Sequence, residues 1–395
     1  MKHTLLFLVS VGFLACSSSE AVAPSPTIVP EAAPPPAPLA KAACPEGVAF
    51  RDLSGKVVVD VEVNGEGPYT FLLDTGAPQS VLGKKLAASD EVTLKALGIT
   101  TKLARVSSAD MAQYKLPVDG VLGMDFVGKS FLTLDYPRKR VWLAEGREED
   151  NLAACGHVGP AEDVPYLRKH YFFVKGAAES LEGWLLVDSG ASLGVLMASA
   201  FTTLDAAAPR ASLPGFFTPS GIGEFWARLS TVGSLRVGSL DLRSVVVRTA
   251  DDGLIETPSF PDQKPFLGVY PSDALKSLMV TFDQDKSVVR LAPARDRKVE
   301  APTKYFTYGI GLGDTFETQT QVLQVLPGSA ASAAGVAVGD EVVAVGSATL
   351  AKLDPYERPW TLLAKTEGAK TRVTLRRGTE ERTVELDARD LLRSP

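Results

Sequence analysis

The sequence predicts a mainly β protein, in which two copies of one β-rich unit are followed by a smaller α+β module. Three observations carry that prediction. DTGAPQSVL at 74–82 returns as DSGASLGVL at 188–196, with Asp, Gly, Ala, Val and Leu in register. TLDYPRKRVWLA at 133–144 returns as TFDQDKSVVRLA at 281–292, sharing Thr, Asp, Val, Leu and Ala. Past Arg297 the chain changes to short apolar runs punctuated by glycine, with one Ala-rich stretch between them. Between the two repeats lie DGVLGMD (119–125) and KPFLGVY (264–270), each an apolar pair closed by Gly. Landmarks in the same order make two copies of one unit, 46–150 and 151–297.

The N-terminus reads as an address. Lys2 and His3 precede the apolar run Leu5 to Leu14, which is too short to span a membrane and has the shape of a signal peptide, 1–15. It ends in FLAC, with Cys16 followed by three serines. This resembles a bacterial lipoprotein signal, which implies lipidation of Cys16 and a membrane anchor in the cell envelope. Ser17 rather than Asp after the Cys resembles outer-membrane sorting. The alternative is plain secretion with cleavage after Ala21-Val22-Ala23. Residues 16–45 are rich in Pro and Ala and predict an extended tether, reaching roughly 80 Å at about 3.1 Å per residue.

Outside the cytoplasm Cys44 and Cys155 can form a disulfide that staples the two ends of the first unit; two buried thiols are the other reading. The first unit runs FLL straight into Asp74, and the second runs LLV into Asp188. A carboxylate at the end of a buried strand is costly unless something compensates it. One such Asp-Thr/Ser-Gly triplet means little, since roughly one chain in six of this length would carry one by chance. Two in matched contexts mean more.

Composition removes competitors. A formal charge of −6 and the lack of an aromatic-interleaved basic patch give no reason to expect nucleic acid. The three His, one of them His3, and the lack of CxxC, HExxH, P-loop and G-x-S-x-G motifs leave metal hydrolysis, phosphate binding and Ser-His-Asp chemistry without their parts.

With these motifs in hand, the pattern resembles the aspartic peptidases, specifically the bacterial retropepsin-like branch with two lobes fused in one chain. The resemblance covers roughly 55–145 and 168–292. It implies two-lobed, pepsin/retropepsin-like β-barrel lobes, a polypeptide substrate, and no metal or other cofactor. It assigns Asp74 and Asp188 as the catalytic pair, with Thr75 and Ser189 bonding across to the opposite loop. Val121-Leu122-Gly123 and Phe266-Leu267-Gly268 would pack around the two loops.

The chemistry agrees without the family. Two carboxylates brought close share one proton and split their apparent pKa values. The ionised one can then activate water while the protonated one donates to a carbonyl. Gly76 and Gly190 let two backbones approach closely.

A substrate-covering hairpin is expected around Gly221-Ile222-Gly223 in the second unit, whereas SSADMAQYKL (107–116) is a poor match in the first. Trp142, Trp184, Trp226 and Trp360 read as packing residues, and Arg138-Lys139-Arg140 as a solvated hairpin tip.

The module at 304–390 resembles a PDZ domain. That resemblance implies that Gly309-Ile310-Gly311-Leu312 receives the C-terminal carboxylate of a peptide partner through backbone N–H groups. Pro355 to Leu363 would flank the groove, and VTLRRGTEERTVEL (373–386) would form a hairpin. A dinucleotide loop at GIGLGD is excluded, because the third Gly and the following βαβ unit are missing. Two functions follow: a tethered aspartic endopeptidase whose PDZ presents substrate, or a peptide-binding scaffold that uses the same fold without cleaving.

Overall fold

Repetition in the sequence becomes repetition in strand pairing. The computed structural model describes residues 43–53, 55–86, 91–104, 106–111, 118–128, 130–144, 152, 154–168, 171–191, 193–210, 212–220, 223–255, 257–296, 298–299, 306–312, 320–353 and 367–392; for 168, 213–220 and 223–227 only the backbone is described. Cys16, Gly221, Ile222, Trp360 and the segment Pro355 to Leu363 lie outside these residues, as does most of the tether.

The first repeat starts with Lys56–Val63, KVVVDVEV, whose β-branched residues suit a strand. Val57, Val59, Val61 and Val63 fill the main core, while Val58 faces a second cluster with Leu72, Met111, Val118 and Val121. This strand pairs antiparallel with Glu66–Leu73, which leads into Asp74. Glu66–Leu73 pairs parallel with Gly120–Leu122. Val81–Gly83 pairs antiparallel with Gly120–Leu122 and parallel with Ser107–Ala109.

The second repeat reproduces each step. Phe172–Ala178 pairs antiparallel with Leu181–Val187, which leads into Asp188. Leu181–Val187 pairs parallel with Phe266–Tyr270. Gly194–Met197 pairs antiparallel with Phe266–Tyr270 and parallel with Leu240–Ala250. A ten-residue helix, Ala198–Ala207, and a long hairpin, Ser212–Ser220 with Gly223–Val237, are inserted between them. Gly223 opens the second arm opposite Ser220.

The two repeats meet through their second conserved segment. Phe131–Asp135 pairs antiparallel with Leu278–Asp283, with Leu132 opposite Phe282, Thr133 opposite Thr281 and Leu134 opposite Val280. The buried Thr133 and Thr281 hydroxyls lie 2.9 Å apart, so a local two-fold axis passes beside this bond. Asp135 and Asp283 are both buried, and each accepts the N–H three residues on, from Arg138 and Lys286. Arg138 and Lys139 are exposed at the turn that follows. The two repeats therefore share one strand path and a single apolar core.

Cys44 and Cys155 are bonded, with Cα atoms 4.7 Å apart and a sequence separation of 111. In the chain-entropy account a closed loop of that size stabilises by about 5 kcal/mol. Val48–Ala49, just after Cys44, adds an edge to the shared sheet by pairing with Arg140–Ala144.

The C-terminal module has its own core, including Tyr308, Ile310, Val322, Val342, Val373, Leu375 and Leu386. Lys370–Arg377 and Glu380–Asp387 form the expected hairpin, which extends a sheet through Glu341–Val345. Ser329 caps the short helix Ala330–Ala333 by accepting the Ser332 N–H. A small apolar cluster joins Leu326 and Leu392 of this module to Leu229 and Val246 of the second repeat, with Leu193 beside them.

Candidate active site

Each Asp-Thr/Ser-Gly loop is held in place by the other. The Thr75 N–H donates to Ser189 Oγ at 3.0 Å, and the Ser189 N–H donates to Thr75 Oγ1 at 3.0 Å. The Thr75 hydroxyl donates to the Val187 carbonyl at 3.1 Å, and the Ser189 hydroxyl to the Leu73 carbonyl at 2.9 Å. Both side chains are fully buried. Each hydroxyl thus accepts from one strand of the opposite repeat and donates to another atom of it. Neither loop can shift without breaking this four-bond lock.

The lock brings Asp74 and Asp188 together. A Cβ added to Gly76 would stand 2.5 Å from Asp188 Oδ2, and one added to Gly190 would stand 2.5 Å from Asp74 Oδ2. Only glycine leaves room for the opposite carboxylate. The Gly76 N–H donates to Asp74 Oδ1 at 2.8 Å, and the Gly190 N–H to Asp188 Oδ1 at 2.6 Å. Asp74 and Asp188 are largely buried, with a minor part of each residue accessible.

Burial raises the pKa of both groups above the ordinary carboxylate range. Asp74 is raised furthest, because the negative charge of Asp188 and a hydrogen bond to it favour the protonated form. At Asp188 the burial effect is opposed by the N–H of Gly190 and by the hydrogen bond from Asp74. Between its two apparent pKa values the pair therefore shares one proton.

The outer supports correct one detail of the sequence reading. Leu73 lies opposite Leu122, and Val187 opposite Tyr270. Gly120-Val121-Leu122 is therefore equivalent to Gly268-Val269-Tyr270, and Phe266-Leu267-Gly268 is not the partner of Val121-Leu122-Gly123. Gly123 corresponds to Pro271. Gly120 and Gly268 do one job: a Cβ on either would collide with the carbonyl of Val81 or Val195 on the adjoining strand. The next turns match as well, since the Met124 N–H donates to the Ala77 carbonyl and the Ser272 N–H to the Ala191 carbonyl.

Ser107–Ala109, inside the segment compared with a covering hairpin, is instead a largely exposed edge strand paired parallel with Val81–Gly83. Among the described residues the first repeat has no counterpart of the Ser212–Ser220 hairpin.

In the C-terminal module the Gly309 N–H is already taken by Thr307 Oγ1 at 3.0 Å, and its carbonyl accepts from Leu326. Gly309 has φ +87°, and a side chain there would strike Ser329. Ile310–Leu312 is a strand paired with Val322–Val325 on one side. Trp142 and Trp184 are buried packing residues, the latter stacked on Phe260 at 4.9 Å.

One residue near the pair escaped the sequence reading. Lys56 lies within electrostatic reach of Asp273, Asp188 and Asp74. A lysine at the start of a strand looks like a solvated strand end, so its sequence carries no signal of this.

Residues 59–112 match the family model described as Aspartyl protease. The matched stretch contains Asp74, Thr75 and Gly76 and supports an aspartic-protease-type domain in the first repeat. No curated protein matches the chain.

The lock gives a stability prediction. Ser189→Ala strands the Thr75 N–H and the Leu73 carbonyl in a dry environment, and is expected to cost about 2–3 kcal/mol. Urea unfolding of wild type and variant measures it; an exposed serine such as Ser347 serves as the near-neutral control.

Proposed function

We propose that the chain is an aspartic endopeptidase of the bacterial cell envelope, lipid-anchored through Cys16 and acting on extended polypeptide. The observation that carries this reading is the reciprocal Thr75–Ser189 lock, which sets two glycine-backed carboxylates against each other.

The reaction follows from the charge state. Asp188, ionised, takes a proton from a water molecule as the water oxygen attacks the peptide carbonyl carbon. Asp74, protonated, gives its proton to the carbonyl oxygen, and a tetrahedral diol results. When the C–N bond breaks, the amine leaves with a proton from Asp188 and a diol hydroxyl returns its proton to Asp74. Atoms and charge balance without metal or covalent intermediate.

The second repeat's hairpin, Ser212–Ser220 with the start of Gly223–Val237, is the element suited to cover bound peptide. The C-terminal module, read as a PDZ domain, would take a peptide C-terminus at Ile310 to Leu312. With the Gly309 N–H engaged, the carboxylate would depend on the N–H groups that follow it.

A catalytically inactive peptide-binding scaffold is the second reading. It is favoured by the missing hairpin counterpart in the first repeat among the described residues.

The test is cleavage of a diverse peptide mixture by the purified protein, read by mass spectrometry across pH 3–8. Because catalysis needs one proton on the pair, the rate should rise through the lower apparent pKa and fall through the higher, giving a bell. The raised pKa values place both limbs above where two solvated aspartates would put them. No cleavage at any pH, with candidate C-terminal peptides added, supports the scaffold.

A further inference from the structure

We propose that Lys56 is a positioning residue for the aspartate pair, a cation set by the β-ladder beside Asp74 that moves the pH window of the pair's singly ionised state downward. The proposal deepens the peptidase reading and rests on it for its meaning in catalysis.

Strand register supplies the placement. Val57 lies opposite Leu73 and Val58 opposite Leu72 in the antiparallel ladder. Side chains alternate along each strand, and Val58 and Leu72 share the second apolar cluster. One step beyond the Val57–Leu73 pair, Lys56 stands opposite Asp74, on the face that carries Val58 and Leu72. Directly opposed positions of such a ladder bring Cβ atoms within about 4.5–5.5 Å.

The loop before Lys56 is pinned to the second repeat. Gly55 is buried, with φ +89°, and a Cβ there would stand 2.9 Å from Ser272 Oγ and Asp273 Oδ1. The Gly55 N–H donates to Asp52 Oδ1 at 2.7 Å. Gly55 therefore fixes the backbone that leads into Lys56 against the second repeat.

The repeat is broken at this position. Phe173 lies opposite Leu186, so the residue facing Asp188 in the same way is Tyr171, which packs edge-on against Phe173 at 5.7 Å. The register position facing Asp74 carries a cation, and the one facing Asp188 an aromatic residue. Two otherwise matched loops thereby acquire different electrostatic surroundings.

The charged groups around Lys56 come from four elements. Arg248 stands on the strand Leu240–Ala250, Asp273 on the helix Ser272–Leu275 with Lys276 ion-paired to it, and Asp74 and Asp188 on their loops. Tyr136 follows the strand Phe131–Asp135; its buried hydroxyl has no hydrogen-bond partner among the described residues and lies in range of Asp188, Asp52, Asp273 and Asp74. Burial and then Arg248 push the Lys56 ammonium down to about 8, against the pull of the three carboxylates. It remains charged across the acidic range in which the pair would work. A cation there favours the ionised pair and lowers both of its apparent pKa values.

The experiment is a carbon-13 carboxyl NMR titration of the full-length protein as wild type, Lys56→Met and Lys56→Arg. In Lys56→Met both apparent pKa values of the pair should rise by about one pH unit or more, and Lys56→Arg should restore them at least halfway. If cleavage is observed, both limbs of its pH profile should move upward by the same amount. Titration curves of Lys56→Met that superimpose on wild type overturn the proposal.

A reciprocal measurement does not depend on how the Lys56 variants fold. Nitrogen-15 titration of the Lys56 ammonium should show its pKa falling in both Asp74→Asn and Asp188→Asn, because coupling between two sites is mutual. An unchanged lysine pKa in both overturns the proposal equally. None of these titrations needs turnover. A coupled lysine in a protein that cleaves nothing would sink the peptidase reading alone, and cleavage with an uncoupled lysine would sink this proposal alone.

Discussion

Asp188→Asn is expected to reduce peptide cleavage by about 10²–10⁴-fold, and Asp74→Asn to do the same, the scale on which positioned acid–base groups act. The amide keeps the size of the carboxyl and can still accept the backbone N–H, so the loop geometry survives. What disappears is the capacity to exchange a proton with water or with the carbonyl oxygen. The two variants fail for opposite reasons, one lacking the base and the other the acid. Stability should move the other way. Burial raises the pKa of both carboxyls, so stability is lost as the pH rises from the unfolded carboxylate value to the folded one, and it stays lost above that. Near neutral pH the Asn variants should therefore unfold at equal or higher urea concentration than wild type. Initial rates on a cleaved peptide, beside urea unfolding at pH 5 and 7, check both halves. A variant that retains full rate would remove its residue from the chemistry.

Gly190→Ala is expected to cost at least about 10²-fold in rate with only modest loss of stability. The new methyl would lie 2.5 Å from Asp74 Cγ and Oδ2 and 2.6 Å from Oδ1. The carboxyl can escape by rotating, at about 1–3 kcal/mol for overpacking. Rotation, however, gives up the Gly76 N–H bond at 2.8 Å and the approach to Asp188. Displacing a reacting group by about 1 Å is enough for a loss of that order. Rate and unfolding measured on the same preparation separate the outcomes. A proportional collapse of both would mean that the glycine serves the fold alone.

Much of this arrangement was legible in the residues. The two Asp-Thr/Ser-Gly loops, their apolar lead-in strands and the hydroxyl in each marked the pair of loops that the structure brings together, because an arrangement about a two-fold axis requires the same parts twice. The TLD and TFD segments announced a second repeat. Nothing in them said that Thr133 and Thr281 would be direct partners, since antiparallel pairing across an axis leaves no spacing signal. The apolar-apolar-Gly match went astray for a physical reason. Gly123 and Gly268 look alike in sequence, but Gly268 answers to a carbonyl on the neighbouring strand, as Gly120 does. Ser107–Ala109 was similarly opaque, being a polar three-residue strand whose parallel partner lies some twenty-five residues earlier. Lys56 could be found only through the ladder, because its neighbours come from both repeats.

The bond between Cys44 and Cys155 closes a ring around nearly the whole first repeat. A single hydrolytic cut anywhere between those two residues opens the ring without separating the pieces, which stay joined through sulfur. If the proposed peptidase nicks its own copies, the half contributing Asp74 would thus remain attached to the half contributing Asp188.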